Sequence, residues 1–241
     1  QCIFTSASEL EDLQLDSSMI GDGTYGECHI RRYTRFKIPV VEKRLRESDL
    51  TELKKEAYYI QLFSHRCVPH LIGVQTQMKP YSLIMEFLGD ETISMTVHKL
   101  LFDSKFNEQK LMMCMAKWCR VCYDIANALH YIHEKGYLHC DIKLNNTLVY
   151  NQKGYLIDFG KVCHISQSRR KKYEKVYPHI APEVLSGSPV SRASDTFSLG
   201  KIIETIGEET QNQELKSLGK KSVSKLPCDR PTVLGILTTL Q

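Results

Sequence analysis

From residue 13 to about 46, apolar and polar positions alternate around two turn-like stretches, as in Leu13-Gln14-Leu15, Glu27-Cys28-His29-Ile30 and Pro39-Val40-Val41. A period of two suits a half-buried strand, so this part reads as three antiparallel strands. The period then lengthens. Leu53, Ala57, Ile60 and Phe63 fall on one face with charges on the other, which predicts a helix from about Thr51 to Phe63 with Thr51 as its N-cap. Two further short strands, near Leu71 to Gln77 and Ser82 to Phe87, complete a small sheet. From about Glu108, Leu111, Met115, Trp118, Cys122, Ile125 and Leu129 repeat every three or four residues, and long helices follow. A β-rich part of about residues 1–88 thus precedes an α-rich part of about 89–241, the change falling near Glu86 to Gly89. There is no internal repeat and no low-complexity segment.

Composition narrows the class. The chain has 241 residues, 42% of them hydrophobic, enough to bury a substantial core. Its 32 basic and 28 acidic residues are spread along the sequence, and a formal charge of +4 is not the excess of a dedicated nucleic-acid binder. Nor are the basic residues interleaved with an aromatic platform, so no nucleic acid is expected. Nine cysteines, odd in number and scattered, read as reduced thiols of a cytoplasmic compartment. Cys119 and Cys122 form a C-x-x-C, but Ala116, Val121, Ile125 and Leu129 around them have helical spacing and no second ligand pair follows. Helix thiols are expected there rather than zinc. No apolar run approaches the roughly 20 residues that span a bilayer, and no leader pattern opens the chain. This part itself is expected to make no membrane contact. Because it begins at Gln1, it reads as cytoplasmic or as the cytoplasmic domain of a larger protein, and its oligomeric state is not legible.

The chemistry-bearing residues come in a spaced series. Gly21-Asp22-Gly23-Thr24-Tyr25-Gly26 lacks side chains where backbone N–H groups could approach phosphate oxygens, although a G-x-G-x-x-G alone is equally an ordinary hairpin turn. A dinucleotide fingerprint would need a helix next, and a strand follows. Lys43 ends the strand Val40-Val41-Glu42-Lys43; its ammonium suits phosphate and needs an anion to hold it, for which Glu56 is the candidate. Farther on stand His139-Cys140-Asp141-Ile142-Lys143-Leu144-Asn145-Asn146, a strand Leu148-Val149-Tyr150, a turn at Gly154, and Asp158-Phe159-Gly160. Phosphoryl transfer demands positioning and charge neutralisation more than covalent chemistry. Asp141 can accept the proton of an attacking hydroxyl, Lys143 can meet the γ-phosphate, and Asn146 and Asp158 can ligate Mg²⁺. A single Asp in a loop is ordinarily a solvated charge; the ordered set is not.

The set resembles the catalytic domain of the eukaryotic protein kinases over nearly the whole chain. Gly21, Gly23 and Gly26 match the glycine-rich loop, Lys43 and Glu56 the strand lysine and its helix partner, and Asp141, Lys143 and Asn146 the catalytic loop. Asp158-Phe159-Gly160 matches the metal-binding tripeptide, and Ala181-Pro182-Glu183 closes an activation segment. Asp195 resembles the buried anchor of the catalytic loop, and Arg230 the partner of Glu183. The resemblance implies an α+β, bilobal protein kinase fold, with an antiparallel β-sheet N-lobe (about 1–88) carrying one main helix and a mostly helical C-lobe (about 89–241). It implies ATP and Mg²⁺, or Mn²⁺, as cofactors and protein substrates as partners. Ile20, Cys28 and Val41 would lie above the adenine and Leu148 below it, with Met85 as gatekeeper and the backbone of Glu86 and Leu88 at the hinge. Ile60, Leu71, Phe159 and His139 would form an internal apolar stack. Cys28 would be open to electrophiles if its pKa allows.

Departures from the family pattern carry expectations of their own. Cys140 stands where most of the family has an arginine that pairs with an activation-segment phosphate, and a thiol cannot make that pair. Activity is therefore expected not to depend on such phosphorylation, with Ser166, Ser168, Tyr173 and Tyr177 as the hydroxyls in the segment. Arg169-Arg170-Lys171-Lys172 either attracts acidic partners or is a solvated loop. Lys143 resembles the serine/threonine kinases, and Cys228-Asp229-Arg230-Pro231-Thr232 and the Ser194–Gly200 stretch resemble their tyrosine-kinase-like branch. Val176 departs from them, since a threonine is usual there. The short span between Asp195 and Arg230 leaves room for one short amphipathic helix around Leu215 and Leu218. The expected function is ATP-dependent phosphorylation of Ser/Thr hydroxyls. A pseudokinase scaffold, a dual-specificity or tyrosine kinase, and a small-molecule phosphotransferase of kinase-like fold are the alternatives, the last disfavoured by Ala181-Pro182-Glu183.

Overall fold

The computed structural model describes residues 9–13, 18–23, 26–47, 49–168 and 170–241. The chain divides into two compact units, Gln1–Ser64 with Val68–Ser94, and His65–Cys67 with Met95–Gln241.

The first unit has the antiparallel sheet that the alternation predicts. Its strands are β1 (Leu10–Asp12), β2 (Met19–Gly23), β3 (Gly26–Tyr33), β4 (Ile38–Leu45), β5 (Leu71–Gln75) and β6 (Ser82–Glu86), paired in the order β1-β3-β4-β6-β5 with β2 also on β3. Two details differ from the sequence reading. The first strand is Leu10–Asp12, set against Tyr33–Arg31, while Leu13 lies outside any strand and Gln14 and Leu15 outside the described residues. Moreover, the glycine-rich stretch is itself a strand up to Gly23, giving four strands before the helix rather than three. Glycines weaken the strand signal, but the ladder runs through them with Gly21 opposite Cys28 and Gly23 opposite Gly26. Leu10, Tyr33, Val40 and Ile84 form the core on one side of this sheet. Helix α1 (Leu50–Leu62) buries Leu53, Glu56, Ala57 and Ile60. Its N-cap is Asp49, not Thr51: the Asp49 carboxylate accepts from the Thr51 N–H at 2.7 Å.

The second unit is helical, as expected for its part of the α+β fold, around α4 (Met115–Glu134), which buries Trp118, Val121, Cys122, Ile125, Leu129 and Ile132. Before it come α2 (Val97–Phe102) and α3 (Asn107–Leu111). Leu111 and Met115, read from periodicity as part of the same stripe, are instead 85% and 50% exposed. The chain leaves the helix after Leu111 and re-enters through an extended Cys114, which breaks the register between them. Cys122 is buried, and half-buried Cys119 accepts from Asn212 at 3.8 Å. Among the described residues no group of three or more metal-ligating side chains occurs. Nor is any helix among them long and apolar enough to cross a membrane.

After α4 come β7 (Tyr137–Leu138), the hairpin β8 (Thr147–Tyr150) and β9 (Lys153–Leu156), β10 (Cys163–His164), and helices α5 (Pro182–Leu185), α6 (Arg192–Glu209), α7 (Gln213–Ser222) and α8 (Val233–Thr239). A reciprocal Ser191–Ser194 capping box starts α6, and α7 buries Leu215 and Leu218 as the short amphipathic helix. The β8–β9 turn is not made by Gly154. Asn151 and Gln152 turn the chain, both with positive φ (49° and 62°), as a two-residue hairpin requires. Gly154 lies within β9, where a Cβ would stand 2.6 Å from the Val121 carbonyl oxygen of α4. Its role is close helix–strand approach. Gly154→Ala is accordingly expected to cost about 1–3 kcal/mol, measured as a lower urea midpoint with an unchanged slope.

Candidate active site

In the first unit, sheet register gathers the site residues. Cys28 faces Lys43 across β3–β4, and Val41 faces Met85 across β4–β6. Since Val41 and Lys43 are two apart on one strand, all four share a face. The Lys43 ammonium meets both Glu56 oxygens, at 2.7 and 2.9 Å, and both residues are buried. Gly26 admits no side chain, because a Cβ would lie 2.3 Å from the Arg44 carbonyl oxygen. Ile20, Cys28, Val41, Met85 and Glu86 are half-buried and Leu88 is buried. Glu86 also accepts from the His70 N–H, and Leu88 C=O from Ser94 Oγ. Thr24 and Tyr25 of the glycine-rich loop lie outside the described residues.

In the second unit, Asp195 of α6 holds the catalytic-loop candidate by its backbone. Its oxygens accept from the His139 N–H (2.8 Å) and the Cys140 N–H (3.0 Å), and one also meets His133 Nε2 (2.9 Å). Cys140 is left-handed, with φ 67°, a conformation uncommon for residues with a side chain. Immediately after it, Asp141 is buried but reachable by polar neighbours on each oxygen. Asn146 Nδ2 donates to Asp141 Oδ2 and to its carbonyl, each at 3.0 Å, and stands 3.5 Å from Asp158 Oδ2. Asp158 is also left-handed, φ 67°. Asp141, Asn146 and Asp158 are thus brought together. Leu148 is buried on β8, and the rings of His139 and Phe159 lie 5.2 Å apart, while Ile60 and Leu71 belong to the first unit.

Two lysines set the electrostatics of Asp141. Lys143 Nζ lies 3.1 Å from Oδ2 and Lys161 Nζ 2.8 Å from Oδ1. Burial alone would raise the carboxyl pKa; the ammonium groups of Lys161 and Lys143 overcome it and hold Asp141 below its ordinary value. It is ionised at neutral pH. His179 approaches the same carboxylate at 3.9 Å, but burial lowers its pKa and its ring is neutral there. Burial likewise keeps His139 neutral. Sequence reasoning missed Lys161 and His133. A basic residue beside Asp158-Phe159-Gly160 was the available signal for Lys161; for His133, a polar position on the buried stripe of α4.

The activation segment is held largely by apolar packing. Ala181, Val184 and Phe197 form a buried cluster against which Tyr173, Ile180 and Val190 pack. Cys140 lines a small pocket with Tyr173, Ile180, Val184 and Val190. Ser166, Arg170, Lys171, Lys172, Val176 and Tyr177 are exposed; Ser168 donates to Val190 C=O, and Arg169 lies outside the described residues. Arg230 grips Glu183 through two bonds of 2.7 and 2.8 Å and also meets the carbonyls of Ala193, Ser224 and Lys225.

The pattern of the protein kinase domain family matches residues 15–227. A probable serine/threonine-protein kinase of Dictyostelium discoideum is 26% identical over 94% of this chain and 25% of its own length. Serine/threonine/tyrosine-protein kinase HT1 of Arabidopsis thaliana is 24% identical over 69% of this chain and 41% of its own length. Tyrosine-protein kinase TXK of Mus musculus is 28% identical over 83% of this chain and 38% of its own length. The chain thus spans well under half the length of these relatives.

The Glu183–Arg230 pair yields a pH dependence. Burial would raise the Glu183 pKa, but the hydrogen bonds from Arg230 win and depress it. A carboxyl depressed on folding contributes stability above its unfolded pKa, about 4.3, and loses it as pH falls through the folded value. The urea midpoint of wild type should therefore fall as pH drops through and below that range. Glu183→Gln should be less stable at pH 7 and show a flatter acid limb.

Proposed function

From the premise that the chain belongs to the protein kinase family, we propose that it transfers the γ-phosphate of ATP to serine or threonine hydroxyls of protein substrates. The observation that carries this reading is an ionised, buried Asp141 beside two further oxygen-bearing side chains, Asn146 and Asp158, in one unit. The first unit supplies a lysine already oriented by its own carboxylate.

The residues present fit the groups the family implies. An amide oxygen on Asn146 and a carboxylate on Asp158 are hard donors of the kind Mg²⁺ or Mn²⁺ takes. A divalent cation held there would neutralise phosphate charge. Lys43 would meet phosphate oxygens, the backbone at Gly21, Gly23 and Gly26 would cover the phosphates, and in the first unit Ile20, Cys28, Val41, Met85, Glu86 and Leu88 would contact the base. Asp141 Oδ2 accepts from both Lys143 and Asn146, whereas Oδ1 accepts one hydrogen bond, from Lys161, with His179 Nε2 3.9 Å away. Oδ1 is therefore the atom assigned to the substrate hydroxyl. As the hydroxyl oxygen bonds to the γ-phosphorus and the bridging P–O bond to ADP breaks, its proton passes to Asp141. Lys143, beside Asp141, neutralises charge on the transferred group. The reading as an enzyme rather than a scaffold rests on Lys43, Asp141 and Asp158 all being in place.

Lys143 supports serine and threonine as acceptors, while Val176, 81% exposed, stands where a threonine is usual and favours testing tyrosine as well. Phosphoamino-acid analysis of a peptide-array product should show phosphoserine or phosphothreonine; phosphotyrosine alone would replace the acceptor class. Asp141→Asn should lower phosphotransfer by about 10²–10⁴-fold, and equal rates would remove the catalytic role. Because Cys140 cannot pair with a phosphate, phosphatase pretreatment should leave the rate unchanged, and abolition would contradict this.

A further inference from the structure

Cys140 and Cys163 are distant in sequence, yet their sulfurs lie 3.7 Å apart. The backbone explains the approach. Cys163 opposes Leu138 in the β10–β7 pair, and two residues past Leu138, beyond the end of β7, the left-handed turn at Cys140 brings its sulfur to that of Cys163. The Cys140 backbone is further fixed by its positive φ and its bond to Asp195. Both thiols are half-buried and neither is in a disulfide. A small oxidant can reach them. Closing to the roughly 2.05 Å of an S–S bond needs side-chain rotation of Cys163 on β10 and of Cys140 in the loop that follows β7.

We propose that Cys140 and Cys163 form a modification site, a dithiol that a peroxide oxidises reversibly to a disulfide joining the catalytic loop to the activation segment. The hydrogen bond with Cys163, and then burial, raise the Cys140 pKa above the usual thiol range. The two displacements balance in either order; in one of them Cys163 is the first nucleophile. Its sulfur attacks one peroxide oxygen, the O–O bond breaks, and one water leaves, giving a sulfenic acid. Cys140 then attacks that sulfur, the S–S bond forms, and the hydroxyl departs as the second water. Two thiols lose two electrons and two protons, and both are accounted for in the two waters formed from hydrogen peroxide. A dithiol reductant restores the pair by exchange.

The consequence for catalysis rests on the proposed kinase activity; the bond itself does not. Cys140 directly precedes Asp141, and Lys161, two residues before Cys163, holds Asp141 Oδ1 at 2.8 Å. The disulfide closes a ring that contains both. It fixes Lys161 on the oxygen assigned to the substrate hydroxyl, and the oxidised form is the slower one.

The whole chain, briefly exposed to hydrogen peroxide and then thiol-blocked, should yield on non-reducing digestion a peptide pair linked through Cys140 and Cys163. Cys163→Ser and Cys140→Ser should each lack it, with circular dichroism confirming that they fold. Wild-type phosphotransfer should fall on oxidation and return with dithiothreitol, while Cys163→Ser keeps its rate. Separately blocked or overoxidised Cys140 and Cys163 would overturn the site. Equal peroxide sensitivity of wild type and Cys163→Ser would overturn its control of activity. A chain inactive before oxidation would count against the kinase reading alone, the linked peptide still deciding the dithiol.

Discussion

The carboxylate of Asp195, 1% exposed, receives two successive backbone N–H groups, those of His139 and Cys140, and also meets the His133 ring. A charge so placed costs several kcal/mol to desolvate and persists only when its lone pairs are used. Here they are used to bend a loop. A left-handed residue with a side chain costs about 1–3 kcal/mol, and hydrogen bonds to a charged group return about 1.5–3 kcal/mol each. The bonds therefore outweigh the strain at Cys140, and the bend they enforce sets the direction in which Asp141 leaves. Asn146, Lys143 and Lys161 converge on Asp141 only because it is aimed there.

Much of the fold was legible where local rules act alone. The alternation of β3 and β4, the buried face of α1 and the core stripe of α4 follow from side-chain period, which tertiary contacts reinforce. The misses have physical causes of one kind. Leu111 and Met115 continue a helical period across a break that periodicity does not register, and Gly154 looks like a turn residue although its function is to admit the Val121 carbonyl. At the head of α1, Asp49 takes the cap rather than Thr51 because its carboxylate, one residue before the helix, reaches forward to the Thr51 N–H, while Thr51 is already within the first turn. The candidate site was legible as chemistry, since Lys43 requires an anion and Glu56 is the carboxylate that its neighbouring helix buries. What single residues could not disclose is who shares a partner. Lys161 is marked in the sequence only by its place beside Asp158-Phe159-Gly160; that it shares Asp141 with Lys143 is created by folding.

Cys140 changes how the activation segment is held. Where an arginine would offer a charge to a phosphate, the thiol lines a small pocket with Tyr173, Ile180 and Val184 on one part and Ser194, Asp195 and Ser198 on another. Apolar packing is present as soon as the chain folds, whereas a charge-assisted pair waits for a modifying enzyme. The segment's anchor at its far end is also present at neutral pH without modification, because Glu183 and Arg230 are oppositely charged there in a bidentate pair. The C-terminal part of the segment is thus tied without any added group, and exposed Arg170, Lys171 and Lys172 are left to solvent or to an acidic partner.

The buried pair of Lys43 and Glu56 bears on whether the site is used. Replacing such a pair with apolar side chains of similar volume is often neutral or stabilising by about 1–4 kcal/mol, whereas removing one partner costs about 3–5 kcal/mol. A buried ion pair is therefore weak as a device for stability. The sheet face that carries Lys43 already has Ile30 and Leu83 fully buried, so an apolar residue would suit the position. An ammonium held by both Glu56 oxygens is instead costly to keep and specific in what it offers, a cation fixed in place for an anion. The same reasoning applies to Asp141, whose burial is opposed by two lysines rather than relieved by protonation. Each unit thus maintains a buried charge that folding alone does not require.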